Sequence, residues 1–154
     1  MEDKVKLTID GIEMEVPKSY TILDAAREHG IDIPTLCHLK GINEIGACRM
    51  CIVEVEGARG FATSCVMPVS EGMVVRTNTP AVRDARKVTL ELLLSNHDKK
   101  CLTCVRSENC ELQALAKKLN ITDIEFEGAM SEGEIDELSP SIVRDPKKCI
   151  LCKR

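Results

Sequence analysis

The residues most able to do chemistry are the nine cysteines and three histidines of the 154-residue sequence. They fall into groups. Cys37, Cys48, Cys51 and Cys65 are separated by ten, two and thirteen residues. His97, Cys101, Cys104 and Cys110 follow, separated by three, two and five. Cys149 and Cys152 form a last Cys-x-x-Cys pair. An odd number of cysteines cannot all form disulfides, and about 6% cysteine lies below the roughly 8–10% of a short secreted disulfide scaffold. Met1 is followed by Glu2-Asp3-Lys4 rather than an apolar signal segment. A cytoplasmic chain with reduced thiols is therefore expected, and reduced cysteines at such spacings point to metal-bound thiolates.

In the first group, Cys48-Arg49-Met50-Cys51 lets two thiolates from one tight loop reach the same centre. Gly46 and Ala47 keep the approach open, so that backbone N–H groups can point at sulfur, offset thiolate charge and tune a reduction potential. Four cysteines in a sheet-plus-helix domain satisfy a [2Fe-2S] cluster, although the long first gap is not the plant-type ferredoxin spacing. In the second group, three thiolates and one imidazole suit a [4Fe-4S] cluster. The neutral imidazole removes one negative charge there and shifts the potential upward. The same set also suits structural zinc; the spacing favours iron–sulfur and leaves zinc open. Cys149 and Cys152 are half a site, to be completed by a partner chain or around zinc, or else a remnant. Cys101-x2-Cys104 with Cys149-x2-Cys152 would make the four-cysteine site of a zinc-stabilised interaction module, the competing reading. Free cysteine is also a common core residue, which is a fair account of Cys65 alone but not of paired cysteines in loops. His97 alone would suit a helix C-terminus; His29 and His38 have no cysteine partners of this kind and read as surface or packing residues.

These groups need elements to hold them. Val5, Leu7 and Ile9 alternate with polar residues, Asp10-Gly11 is a turn, and Ile12, Met14 and Val16 alternate on the return, so a hairpin is expected over 4–16. Thr21 to Gly30 predicts a short helix with Thr21 as cap, Asp24 at the capping-box distance and Gly30 as stop. Residues 31–49 form a long irregular loop carrying Cys37 and Cys48, which favours a functional loop. Strands are expected at 51–56, at 61–66 and at 73–76. Pro80 opens a long helix ending near Asn96 or His97, with Val82, Ala85, Val88 and Leu92 as its apolar stripe. Residues 101–110 are loop-like, and Glu111 to Leu119 is a short helix with Leu112, Leu115 and Leu119 on one face. The acidic run Glu132, Glu134, Asp136 and Glu137 reads as a solvated arm. Three regions follow: 1–78, 79–125 and 126–154.

Composition narrows the classes. With 21 Lys and Arg against 25 Asp and Glu, the charge is −4, which argues against nucleic acid. Tyr20, Phe61 and Phe126 are the whole aromatic set, too few for base stacking. No apolar run approaches the roughly 20 residues of a membrane helix. No G-x-G-x-x-G, P-loop, Ser-His-Asp or paired-carboxylate arrangement is present.

Pro34-Thr35-Leu36-Cys37-His38, Gly46-Ala47-Cys48-Arg49-Met50-Cys51 and Thr63-Ser64-Cys65 resemble one [2Fe-2S] ferredoxin-like domain. It is the N-terminal domain of the large iron–sulfur subunit of respiratory complex I, the multi-cluster [FeFe]-hydrogenases and NAD-dependent formate dehydrogenases. His97-x3-Cys101-x2-Cys104-x5-Cys110 resembles the [4Fe-4S] segment with one His and three Cys ligands that follows in that group. Val143-Arg144-Asp145 with Lys148-Cys149-Ile150-Leu151-Cys152 resembles the entry to the next, two-cluster module. The resemblance covers nearly the whole chain. It implies an α+β fold: a β-grasp ferredoxin-like domain, a small helical iron–sulfur segment and an extended C-terminal arm. It implies [2Fe-2S] on Cys37, Cys48, Cys51 and Cys65, and [4Fe-4S] on His97, Cys101, Cys104 and Cys110. The implied role is a non-catalytic relay of single electrons within a cytosolic NAD(P)-linked oxidoreductase of electron-bifurcating, hydrogenase or formate dehydrogenase type. Its partners would be flavin- and NAD(P)-binding iron–sulfur subunits, with ferredoxin a further candidate, and neither nucleic acid nor membrane. The acidic arm and the terminal cysteine pair would be docking surfaces. The sequence departs from the pattern at its end, where the family continues with further cysteines and a catalytic domain. A small relay subunit and a fragment of an [FeFe]-hydrogenase both fit that departure.

Overall fold

A computed structural model describes residues 3–153. The chain divides into two units, one reaching to Arg86 and the other spanning Lys87–Cys152. The first is built on a five-stranded mixed sheet with strand order β2-β1-β5-β3-β4. Its strands are β1 (Lys4–Ile9), β2 (Ile12–Pro17), β3 (Ile52–Val55), β4 (Ala62–Thr63) and β5 (Met73–Arg76). β1 and β2 form the expected antiparallel hairpin, with Ile9 opposite Ile12 across the turn. β1 and β5 run parallel, with Leu7 opposite Met73. Pro17 is itself the last residue of β2. That strand lies at the sheet edge, where a missing N–H costs no ladder bond.

Helix α1 (Ile22–Glu28) starts with a full capping box. The Asp24 N–H donates to Thr21 Oγ1, and the Thr21 N–H donates to the Asp24 carboxylate. Ile22, Leu23, Ala25 and Ala26 are fully buried and join Leu7, Ile9, Val16, Val53 and Val75 of the sheet in one core. Burying a large aliphatic side chain contributes about 1.5–3 kcal/mol, so this cluster carries the stability of the first unit. Cys51 and Cys65 are members of it. The α+β expectation, with a sheet packed on one helix, is met.

Two local expectations are corrected. The partner strand at 61–66 shrinks to Ala62–Thr63, because the chain turns at once, with the Val66 and Met67 N–H groups both donating to the Thr63 carbonyl. Helix α2 runs Pro80–Ser95 as expected, but its buried residues include Val82, Arg86 and Leu90, while Val88 and Leu92 are 44% and 48% exposed. A spacing of four puts a charged residue on the covered face, where hydrophobicity alone would not place it. Arg86 keeps its place by donating from Nη2 to the Ile52 carbonyl at 2.6 Å.

The second unit holds most of α2, a 3-10 turn at Cys101–Thr103, helix α3 (Glu111–Lys118) and a 3-10 turn at Pro146–Lys148 capped by Asp145. Leu112 of α3 is buried, as its apolar face requires. Glu132, Glu134, Asp136 and Glu137 are exposed. No helix among the described residues is long and apolar enough to cross a membrane.

Candidate metal centres

Cys37 and Cys48 lie in the long loop between α1 and β3, Cys51 immediately precedes β3, and Cys65 follows β4. All four are buried, at 1%, 7%, 1% and 1% exposure respectively, and all are free thiols. The loop is irregular but tightly held. Leu39 and Asn43 exchange backbone hydrogen bonds, and Asn43 Nδ2 donates to the Cys37 carbonyl at 2.8 Å. Gly46 has φ of +65°, and a Cβ there would stand 3.1 Å from Thr63 Cγ2 and 3.4 Å from Val66. Glycine thus lets the loop close on the turn that carries Cys65. Arg49 takes φ of 58° without that freedom and is anchored by Nη1 donating to Thr63 Oγ1 at 2.7 Å.

Hydrogen-bond donors turn toward the sulfurs. The Cys48 N–H donates to Cys37 Sγ at 3.4 Å. Burial pushes the Cys48 thiol up, while backbone N–H groups of Met50 and Leu36 oppose the shift. The Cys65 thiol lowers Cys51 to about 6 against burial, helped by the Cys65 N–H and the Ser64 side chain. Cys65 is raised in turn, because it donates to Cys51. This pair favours one thiolate at Cys51. The Ser64 hydroxyl is fully buried; it acts on the Cys51 sulfur without completing a well-formed hydrogen bond to any group, while the Ser64 backbone is satisfied by Cys51 and Leu23. Four buried free thiols with a backbone amide turned to one of them fit an anionic, sulfur-ligated group.

The second set is strung along one short stretch. His97 follows the end of α2, Cys101 opens the 3-10 turn, Cys104 closes it and Cys110 is the N-cap residue of α3. Cys101 is exposed; His97, Cys104 and Cys110 are partly exposed. The Arg106 N–H donates to Cys104 Sγ at 3.5 Å. At the terminal pair the Leu151 N–H donates to Cys149 Sγ at 3.4 Å, with Leu151 at φ 53°. Both Cys-x-x-Cys turns therefore aim an amide at their first or second sulfur. Among the described residues no three His, Cys, Asp or Glu side chains converge on a single-ion position. A two-iron cluster takes two protein ligands per iron and a four-iron cluster one, so neither needs such convergence.

His29 lies on the surface with Nδ1 against the Ala25 carbonyl at 3.0 Å. His38 is packed inside, with neither ring nitrogen bonded to protein, and burial followed by the Arg27 charge lowers its pKa. Sequence reasoning missed Ser64 and Arg86. Ser64 stood in a quoted motif next to Cys65, and Arg86 stood four residues from Val82 and from Leu90; those positions were the available signals.

Residues 2–80 match the family described as a 2Fe-2S iron-sulfur cluster binding domain. Residues 86–125 match the NADH-ubiquinone oxidoreductase-G iron-sulfur binding region. Over 96% of its length the chain is 49% identical to the NADP-reducing hydrogenase subunit HndD of Solidesulfovibrio fructosivorans, of which it spans 26%. It is 37% identical to the NADH-ubiquinone oxidoreductase 75 kDa subunit of Reclinomonas americana, over 97% of this chain and 22% of that protein. The crystal structure of NAD+-reducing [NiFe]-hydrogenase in the H2-reduced state superposes with a TM-score of 0.89 at 32% identity, over 96% of this chain and 62% of the other. The chain thus spans well under half the length of these two sequence relatives, which are subunits of larger oxidoreductases. It carries a [2Fe-2S] and a [4Fe-4S] binding region, the combination used for electron transfer in hydrogenase and complex I subunits. The chain belongs to the 2Fe-2S iron-sulfur cluster binding domain family.

Proposed function

We propose that this chain relays single electrons within a multi-subunit NAD(P)-linked oxidoreductase. Cys37, Cys48, Cys51 and Cys65 hold the [2Fe-2S] cluster, and His97, Cys101, Cys104 and Cys110 hold the [4Fe-4S] cluster. The observation that carries the reading is the first site: four buried free thiols, with the Cys48 amide donating to Cys37 Sγ. The clusters supply one-electron chemistry. The chain supplies burial, which limits solvent access, and donors that stabilise negative sulfur.

Flavin- and NAD(P)-binding iron–sulfur subunits are the electron partners, with ferredoxin a further one. The loop next to the first site offers them an apolar rim, with Ile42 and Ile45 76% and 50% exposed. Cys149 and Cys152 form the start of a further cluster or zinc site completed by residues outside this pair. The proposed regions are 1–78, 79–125 and 126–154, and the proposed location is the cytoplasm.

Changing Cys48 to Ser tests the partition of ligands. In anaerobically purified protein, EPR is expected to lose the [2Fe-2S] signal and keep the [4Fe-4S] signal. Loss of both from a chain that still folds would show that the ligands are wrongly divided.

A further inference from the structure

Arg86 is the charged side chain that the first unit buries and the relay does not use. It is 5% exposed. Nη2 donates to the carbonyl of Ile52, the residue after Cys51. Nε, also buried, has no hydrogen-bond partner. A guanidinium in such a place is stable only if a nearby negative charge repays its lost hydration. Among the anionic groups acting on Arg86, Cys51 exerts the largest effect, ahead of Asp32 and Asp10. A carbonyl oxygen is a dipole and does not neutralise a cation. Four thiolates around two ferric ions and two sulfides make an anion of about two minus, becoming about three minus on one-electron reduction.

We propose that Arg86 is the built-in counter-charge of the [2Fe-2S] site and raises that cluster's reduction potential. The inference rests on the ligand set proposed above. A fixed buried cation attracts the cluster more strongly after the electron has arrived, so it favours the reduced state. Burial keeps salt from screening the attraction. Arg86 touches neither substrate nor reacting atoms and is a positioning residue. The alternative is purely structural, with Arg86 serving only to hold the first turns of α2 to β3 through the Ile52 carbonyl.

The test is an EPR-monitored redox titration of the full chain carrying both clusters, with the [4Fe-4S] potential as internal reference. Arg86→Gln is expected to shift the [2Fe-2S] equilibrium about tenfold toward the oxidised form, or about 59 mV lower for one electron. Arg86→Lys, which keeps the charge, is expected to stay within about threefold of wild type. A change below about twofold in Arg86→Gln overturns the proposal, as does an Arg86→Lys shift as large as that of Arg86→Gln. If Arg86→Gln and Arg86→Met both lose the cluster while Arg86→Lys retains it with a potential within about threefold of wild type, the charge is the requirement and the proposal stands; a retained cluster with a larger shift overturns it. Loss in all three assigns Arg86 a structural role and overturns it. A wild-type chain with no [2Fe-2S] signal defeats the ligand assignment, whereas a wild-type signal with an unmoved Arg86→Gln potential defeats only the role of Arg86.

Discussion

The two sites sit in very different surroundings. Cys51 and Cys65 belong to the first unit's core, beside fully buried Ile9, Ile22, Leu23, Val53 and Val75, and Cys37 and Cys48 are buried as well. Around His97, Cys101, Cys104 and Cys110 the second unit offers little. Leu90 and Leu112 are its buried hydrophobics among the described residues, while Leu102 and Val105, beside Cys101 and Cys104, are 98% and 96% exposed. The first set of cysteines lies against a packed core; the second set, the proposed [4Fe-4S] ligands, lies on loops with little core beside it. Metal binding becomes folding energy where no preformed core exists.

The largest expected effect follows from that contrast. Stripping iron with a chelator under reducing conditions should accelerate amide exchange at residues 97–121 by about 100-fold. Amides of α1 and β1 should keep their protection. Equal loss in both units would erase the distinction. Next in size is Gly128→Ala. A Cβ there would collide with Asn96 Oδ1 and lie 2.9 Å from the Ser95 carbonyl carbon. Backbone at that distance cannot rotate away, so thermal unfolding of the second unit should be destabilised by about 1–3 kcal/mol, with the first unit unmoved. His97→Cys adds a thiolate charge to the second site and should lower the [4Fe-4S] potential by about tenfold in the reduction equilibrium. An unchanged potential would remove His97 from the ligand set. The smallest effect is expected at Ser64→Ala. Its buried hydroxyl acts on the Cys51 sulfur without completing a well-formed hydrogen bond. Losing that dipole beside sulfur should lower the [2Fe-2S] potential by about threefold in equilibrium, without touching the second cluster.

The same contrast runs through what could be read from the sequence. The hairpin, the Thr21–Asp24 capping box, the start of α2 at Pro80 and β5 were legible because each rests on a local signal: alternation, a capping pair, or a proline. The three cysteine groups could be marked out because spacing is itself a local pattern, and their roles as ligand sets remain the proposal made above. The buried face of α2 was not. Arg86 belongs to it through a hydrogen bond to Ile52, 34 residues away, and hydrophobic periodicity assigns any arginine to the wet side. The brevity of β4 depends on a turn whose amides converge on Thr63, and the left-handed backbone of Arg49 is held by a side chain 14 residues distant. Neither leaves a mark in composition or period.

The account stands or falls on two clusters of different kinds in one chain. Anaerobically purified protein should therefore be analysed for iron, acid-labile sulfide and zinc while its EPR is recorded at two temperatures. About six iron per chain with distinct [2Fe-2S] and [4Fe-4S] signals is the predicted result. Colourless protein with stoichiometric zinc and no cluster signal would contradict it.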